Sequence, residues 1–144
     1  MKVSWRSLSF LFVAVLLGTG CSGPIQMAIT SDDAMNEGNA LTAVYAQLTG
    51  VAAFEGASYV SFWENDNAAL AGDLAAPKQR IVLYPGRETT LEIRPTKGAT
   101  FIGIAANYRN PDLEGWRLIF PVEEVKGKTI RLTADRNRLF AEVN

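Results

Sequence analysis

The amino-acid sequence predicts an all-β protein, a two-sheet antiparallel β-sandwich interrupted by a short helical insertion. Three observations support this prediction. About eight short segments rich in β-branched and aromatic residues follow one another at regular spacing, with turn residues between them. Most connections between neighbouring segments are short, which favours antiparallel pairing. One stretch, residues 51–74, is instead rich in alanine and aromatic residues and predicts helical turns.

The first two predicted strands flank a polar loop. Residues 25–30 (IQMAIT) and 41–48 (LTAVYAQL) have the composition of strands. Residues 31–39 (SDDAMNEGN) are polar, acidic and rich in turn-forming types, which predicts a loop.

The helical insertion is predicted to contain three short turns. Residues 52–54 form the first, and residues 59–63 form the second, with Phe62 and Trp63 directed toward the core. Asp66 is expected to cap the third, which covers residues 67–70.

Six further strands are predicted after Pro77. They cover residues 80–83, 89–94, 101–108, 116–120, 129–133 and 138–143. The segment TTLEIR alternates cleanly, with Leu91 and Ile93 facing inward. The segment FIGIAANY is almost continuously apolar, which is typical of a strand buried on both faces.

The N-terminal segment predicts export and lipid attachment. Lys2 and Arg6 precede an apolar run and small residues, the pattern of a secretory signal peptide over residues 1–20. The run is shorter than the ~20 residues that span a bilayer. Cys21 is the sole cysteine and stands where a lipoprotein signal peptidase cuts, so we expect it to be the acylated first residue of the mature chain. Ser22, where an aspartate would favour inner-membrane retention in enterobacterial lipoproteins, resembles the outer-membrane signal.

The predicted organisation is a signal peptide (1–20), a lipidated tether (21–24) and one periplasmic domain (25–144). The domain is long enough to bury a single core. Because the tether is short, we expect the domain to stay close to the inner leaflet of the outer membrane.

Composition excludes several functional classes. The chain has no histidine, so serine–histidine and cysteine–histidine nucleophile systems are excluded. Without residues 1–20, 12 basic and 15 acidic residues remain, which provides no basic face for nucleic acid. The acidic residues of the first loop do not match the spacing of an EF-hand. We therefore expect no enzymatic activity, metal site, cofactor or small-molecule substrate.

The order of several motifs resembles the TssJ family, the outer-membrane lipoproteins of the type VI secretion system. After the cysteine, the first strand and the polar loop, these motifs are Tyr45-Ala46-Gln47-Leu48, the aromatic and acidic segments 54–63 and 66–74, Leu83-Tyr84-Pro85-Gly86, Phe101-Ile102-Gly103-Ile104-Ala105-Ala106, Tyr108-Arg109 and Trp116-Arg117. The resemblance covers essentially the whole chain. The first loop departs from the asparagine–proline–aspartate that is frequent in the family and reads Met35-Asn36-Glu37-Gly38.

The resemblance implies a transthyretin-like sandwich and a non-enzymatic role in the type VI secretion membrane complex. In the family, the loop between the first two strands projects and binds the periplasmic part of the inner-membrane protein TssM. Carried onto this chain, the loop is 31–39, and the candidate contact residues are Asp32, Asp33, Met35, Asn36 and Glu37. We expect a mobile loop in which Met35 offers an adaptable apolar contact and the acidic residues attract a basic partner. Replacement of the whole loop by glycine and serine is then expected to leave the fold intact.

Two alternatives remain at this point. The first alternative is a periplasmic binding or inhibitor module on an outer-membrane lipoprotein unrelated to secretion. The second is a lipid-anchored hydrolase. The absence of histidine disfavours the hydrolase.

Overall fold

The computed structural model describes residues 23–144. The predicted signal peptide (1–20) and the predicted acylation site Cys21 lie outside the described residues. None of the helices within the described range is long and apolar enough to cross a membrane.

Within residues 23–144, the chain forms eight strands, four short α-helices and one turn of 3-10 helix, which covers Met35–Gly38. The strands are β1 (Ile25–Ser31), β2 (Leu41–Leu48), β3 (Gln79–Leu83), β4 (Glu88–Ile93), β5 (Phe101–Ala106), β6 (Arg117–Pro121), β7 (Thr129–Ala134) and β8 (Leu139–Val143). The helices are α1 (Ala52–Gly56), α2 (Tyr59–Glu64), α3 (Asp66–Leu70) and α4 (Val122–Val125). The predicted strands and the three helical turns of the insertion are all present, whereas α4 was not predicted.

The strands form two four-stranded sheets, with the orders β4-β1-β7-β8 and β3-β2-β5-β6. The predicted two-sheet sandwich with a helical insertion is thus confirmed. One pairing differs from the antiparallel expectation, because β1 and β7 are parallel, with Gln26 opposite Thr129 and Ser31 opposite Ala134. Both strands enter the sheet from the same end of the sandwich. Between them, the chain forms the four strands of the other sheet.

The core lies between the sheets, where alternate residues of each strand are buried. In β1, for example, Ile25, Met27 and Ile29 are at most 1% exposed. The predicted burial of β5 on both faces is confirmed for Ile102–Ala106, but the strand ends there, and Tyr108 lies in the following loop. Its second face is covered by the helices of the insertion.

The three helices of the insertion cover the outer face of the sheet that contains β2 and β5. Phe54 and Phe62 are fully buried and pack edge to face, with ring centroids 5.8 Å apart. Trp63, which was predicted to point into the core, is only partly buried. Arg117 links this layer to β6, because its guanidinium donates hydrogen bonds to the carbonyls of Phe54, Glu55 and Ala57. The layer is therefore a rigid part of the sandwich.

Helix α3 begins one residue earlier than predicted. Asn65 caps it by accepting a hydrogen bond from the Ala68 N–H at 3.1 Å. Asp66, the predicted cap, instead forms ion pairs with Lys78 at 2.9 Å and Arg80 at 2.5 Å, which fix α3 to the start of β3.

The sandwich has two distinct ends. We call the end that holds residues 23–24, 94–100 and 122–128 the tether end, because the chain enters β1 there. The opposite end, which we call the far end, holds residues 32–40, 84–87, 107–116 and 135–138. Helix α4 closes the tether end with buried Val122 and Val125.

Candidate partner-binding surface

The loop between β1 and β2 is tied to its neighbours by backbone hydrogen bonds. Ser31 and the turn 84–87 exchange two of them, since the Ser31 N–H donates to the Arg87 carbonyl and the Gly86 N–H donates to the Ser31 carbonyl, both at 3.0 Å. The Asp32 N–H donates to the Ala134 carbonyl at 2.9 Å. The loop is therefore held on both sides by backbone hydrogen bonds.

Met35 lies inside the protein. Its side chain is 0% exposed and belongs to the central core together with Ile29, Leu41 and Tyr108. Met35 is the largest apolar residue of the loop, and burial removes its side chain from water, which stabilises the fold. The prediction that Met35 offers an exposed apolar contact is therefore wrong, and Met35 supports the loop from below.

Asn36 is buried as well, with 5% exposure. Its Nδ2 donates to the Ala40 carbonyl at 2.9 Å, and its Oδ1 accepts from the Arg109 N–H at 2.8 Å. Its own N–H donates to the Arg136 carbonyl at 2.9 Å. With a φ of 50°, it occupies the left-handed region that asparagine tolerates better than most residues. Asn36 thus links three loops of the far end and is not an exposed contact residue.

The other three predicted contact residues, Asp32, Asp33 and Glu37, are exposed together at the far end. The Asp32 carboxylate accepts the N–H two residues later at 2.7 Å. The Asp33 carboxylate packs against Gly86, whose φ of 66° lies in the left-handed region that favours glycine. Glu37 also has a left-handed backbone, with a φ of 59°, and its carboxylate accepts a hydrogen bond from Asn110. The three carboxylates are consequently presented on a fixed backbone.

Two exposed apolar side chains flank this acidic loop, and neither was predicted as a contact residue. Tyr84 in the turn after β3 is 57% exposed, and Leu113 in the loop after β5 is 72% exposed. Exposed apolar residues within an otherwise charged surface are common at protein interfaces. Each can be recognised in the sequence as an apolar residue inside a predicted turn or loop. Tyr84 precedes Pro85, and Leu113 lies between Asp112 and Glu114.

Two tyrosines anchor the loop that carries Leu113. The Tyr108 side chain is buried, and its hydroxyl donates to the Arg138 carbonyl at 2.8 Å. The Tyr59 hydroxyl bridges α2 to the Tyr108 carbonyl and to the amide oxygen of Asn107. Burial raises the pKa of Tyr59 to about 12, and burial together with the Asp135 carboxylate raises the pKa of Tyr108. Both hydroxyls therefore keep their protons and these hydrogen bonds at neutral pH.

The far end presents a shallow, polar surface around the acidic loop. A hollow of about 320 Å³ next to the acidic loop is shallow and lined by Thr30, Ser31, Asp32, Asp33, Gly86, Arg87 and Glu88. Within residues 23–144, no three side chains of the Cys, His, Asp or Glu types are grouped so that they could hold a metal ion. The arrangement is suited to contact with another protein.

Several solved structures have the same fold. A chain described as "Type VI membrane complex" superposes with a TM-score of 0.75 at 23% identity and covers 83% of this chain and 98% of that chain. The structure of the lipoprotein TssJ1 from Pseudomonas aeruginosa gives a TM-score of 0.74 at 21% identity and covers 85% and 97%. A chain of the structure described as the TssM C-terminal domain from EAEC gives a TM-score of 0.71 at 21% identity and covers 83% and 97%.

The family of this chain follows from its sequence. No curated protein matches it significantly. The model of the family described as "Type VI secretion lipoprotein, VasD, EvfM, TssJ, VC_A0113" matches residues 24–137, which is most of the chain. This protein therefore belongs to the type VI secretion lipoprotein family, whose members are structural subunits of the secretion system.

Proposed function

We propose that this protein is a non-enzymatic subunit of the type VI secretion membrane complex, anchored to the outer membrane through acylated Cys21. It binds the periplasmic part of a TssM-like inner-membrane protein through the far end, with Asp32, Asp33 and Glu37 as contact residues. The observation that carries the proposal is the position of the acidic loop at the end of the sandwich opposite the tether.

Strand β1 connects the proposed anchor directly to the proposed contact surface. The tether enters at Ile25, and the acidic loop begins after Ser31. Seven residues of extended strand span about 20 Å at roughly 3.3 Å per residue. The acidic loop is thus presented toward the periplasm, where a partner from the inner membrane arrives.

The order of the loop favours tight recognition. A loop that is already fixed in the free protein loses little conformational entropy on binding. The buried residues Met35 and Asn36 supply this order, while the three carboxylates remain available to the partner.

Tyr84 and Leu113 extend the surface on either side of the acidic loop. An interface commonly combines apolar anchors with a charged rim. We therefore expect the partner to present basic groups opposite the acidic loop and apolar side chains opposite Tyr84 and Leu113. The choice of a TssM-like partner is supported by family membership and by the neighbouring structures described as a type VI membrane complex and a TssM C-terminal domain.

The triple substitution Asp32→Asn, Asp33→Asn and Glu37→Gln is expected to weaken partner binding about tenfold or more. An exposed charge pair contributes about 0.2–1 kcal/mol, so three pairs in the middle of this range sum to roughly 1.8 kcal/mol, which exceeds the ~1.4 kcal/mol of a tenfold change in affinity. Calorimetric titration with the periplasmic region of the cognate TssM-like protein measures the loss. Replacement of the whole loop is a poor test, because Met35 and Asn36 belong to the interior.

The matched control removes three exposed carboxylates elsewhere, at Glu55, Glu64 and Glu124. This variant has the same net charge as the far-end variant and should bind as the wild type does. Equal affinities for the two variants and the wild type would exclude the acidic loop as the contact surface.

The substitution Cys21→Ser is expected to remove the protein from the outer membrane. Several acyl chains anchor a protein stably, because each buried methylene contributes about 0.8 kcal/mol. Serine has no thiol, so the lipid cannot be attached to it through a thioether. Membrane fractionation should recover a soluble or unprocessed form. Recovery of the variant in the outer membrane at the wild-type level would contradict the proposed anchor.

A further inference from the structure

The chain that enters β1 is packed against the turn between α4 and β7. A Cβ atom on Gly23 would lie 3.1 Å from the Cα of Gly127, so the two backbones are in direct contact. Three residues later, the Gln26 N–H donates to the Lys128 carbonyl at 3.0 Å. The tether therefore leaves the domain alongside the turn 126–128 and not from an open strand end.

This contact limits how far the domain can stand from its proposed anchor. Cys21 lies outside the described residues, but two peptide units separate it from Gly23. Even a fully extended chain of that length reaches only about 7 Å. If Cys21 carries the acyl chains, the turn 126–128 must lie at the level of the lipid headgroups.

The lysines of the domain are concentrated at this end. Residues 23–144 contain four lysines, and Lys97, Lys126 and Lys128 are exposed at the tether end. The fourth, Lys78, is held in the ion pair with Asp66. Lys97 belongs to the turn after β4, the strand that pairs with β1, and Ile93 at its end lies opposite Ile25.

Two of these three lysines have no carboxylate partner among the described residues, and the third, Lys126, is in an exposed ion pair that contributes little to stability. Lys126 forms an ion pair with Glu123 at 2.6 Å, and Glu124 is exposed nearby. Within the described range, no carboxylate lies within 4.0 Å of the Nζ atoms of Lys97 or Lys128. Lysine side chains carry their ammonium groups on long apolar stems, which suits them to a headgroup surface.

We propose that the tether end rests on the phospholipid leaflet that holds the anchor, with Lys97, Lys126 and Lys128 bound to headgroup phosphates. The inference rests on the acylation of Cys21 in the proposed function. Each lysine near an anionic surface favours the bound orientation by a factor of about five. The lysines and the packed tether together hold β1 upright and keep the acidic loop away from the membrane.

Energy transfer to lipid headgroups tests this orientation. The acylated full-length protein is placed in vesicles of phosphatidylcholine and phosphatidylglycerol with an acceptor dye on the headgroups. Because acylation consumes the thiol of Cys21, a single introduced cysteine can be labelled with a donor, either as Thr96→Cys at the tether end or as Glu114→Cys at the far end. Transfer should be several-fold more efficient from position 96 than from position 114.

The triple substitution Lys97→Gln, Lys126→Gln and Lys128→Gln should bring the two transfer efficiencies closer together, as should 0.5 M salt. The matched control, in which Arg87, Arg109 and Arg136 at the far end become glutamine, should keep the wild-type difference. Equal transfer from both positions in the wild type, or an unchanged difference in the lysine variant, would overturn this inference alone. A protein that fails to sediment with the vesicles would overturn the anchor and the inference with it.

Discussion

Asn36→Ala is expected to lower the free energy of unfolding by about 3 kcal/mol. The substitution removes the partners of the Arg109 N–H and the Ala40 carbonyl, two part-buried hydrogen bonds that contribute about 1 kcal/mol each. It also places alanine at a φ of 50°, where a residue with a Cβ and no local hydrogen bond is disfavoured by roughly 1 kcal/mol or more. Equilibrium unfolding in urea measures the change.

Asn39→Ala is the matched control for this prediction. It deletes the same amide group, whose Nδ2 donates to the carbonyls of Asn36 and Glu37 at 3.1 and 3.0 Å, but from a residue with an extended backbone at a φ of −109°. We expect a loss of about 1 kcal/mol, because the bond to Glu37 is exposed to water and only the part-buried bond to Asn36 contributes fully. If both variants lose the same free energy of unfolding, Asn36 does not link the loops as described.

Met35→Ala is expected to cost about 2–5 kcal/mol of stability. The side chain is fully buried, so its removal loses the transfer free energy of the deleted atoms and leaves a cavity between the sheets. Substitution of an exposed loop residue usually changes the free energy of unfolding by no more than about 0.5 kcal/mol. Thermal or urea unfolding therefore distinguishes a core methionine from an exposed contact residue.

Met35→Leu conserves the apolar volume and should cost less than about 1.5 kcal/mol. If Met35→Ala were as stable as the wild type but bound the TssM-like partner more weakly, the side chain would be a surface contact, as the sequence analysis expected. The structure predicts the reverse: Met35→Ala lowers the free energy of unfolding, and any loss of affinity follows from that loss of stability.

The substitutions of Asn36 and Met35 differ in kind from the substitution of the three carboxylates. Asn36 and Met35 act on binding only by holding the backbone of the loop, so their effects on affinity should follow their effects on stability. Asp32, Asp33 and Glu37 are exposed, and their removal should change affinity while leaving the unfolding transition almost unchanged. A comparison of stability and affinity across the set separates support from contact.

The strands were predictable because the signals that specify them are local. The alternation in 89–94 and 129–133 identifies the buried residues of β4 and β7 directly, since successive side chains point to opposite faces. Element ends were less predictable. Asn65 and Asp66 both have capping propensity, and only the ion pairs of Asp66 with Lys78 and Arg80 decide which of them caps α3.

The candidate surface was predictable in position but not in composition. The sequence places a polar loop after the first strand, and three of its five candidate residues are exposed. It does not show that Tyr84 and Leu113 lie on the same end, because these residues belong to connections that only the packing of two sheets brings together. The parallel pairing of β1 and β7 has the same origin, since it joins segments about a hundred residues apart.

The sequence by itself determined the strands, the helical insertion and the acidic character of the first loop, because side-chain period and composition act over a few neighbouring residues. Only the tertiary structure decided that Met35 and Asn36 face inward while Asp32, Asp33 and Glu37 face outward. The physical reason is that the burial of a loop residue depends on partners that are distant in the chain. Asn36 is fixed by Arg109, which lies 73 positions later, and no local pattern encodes that contact.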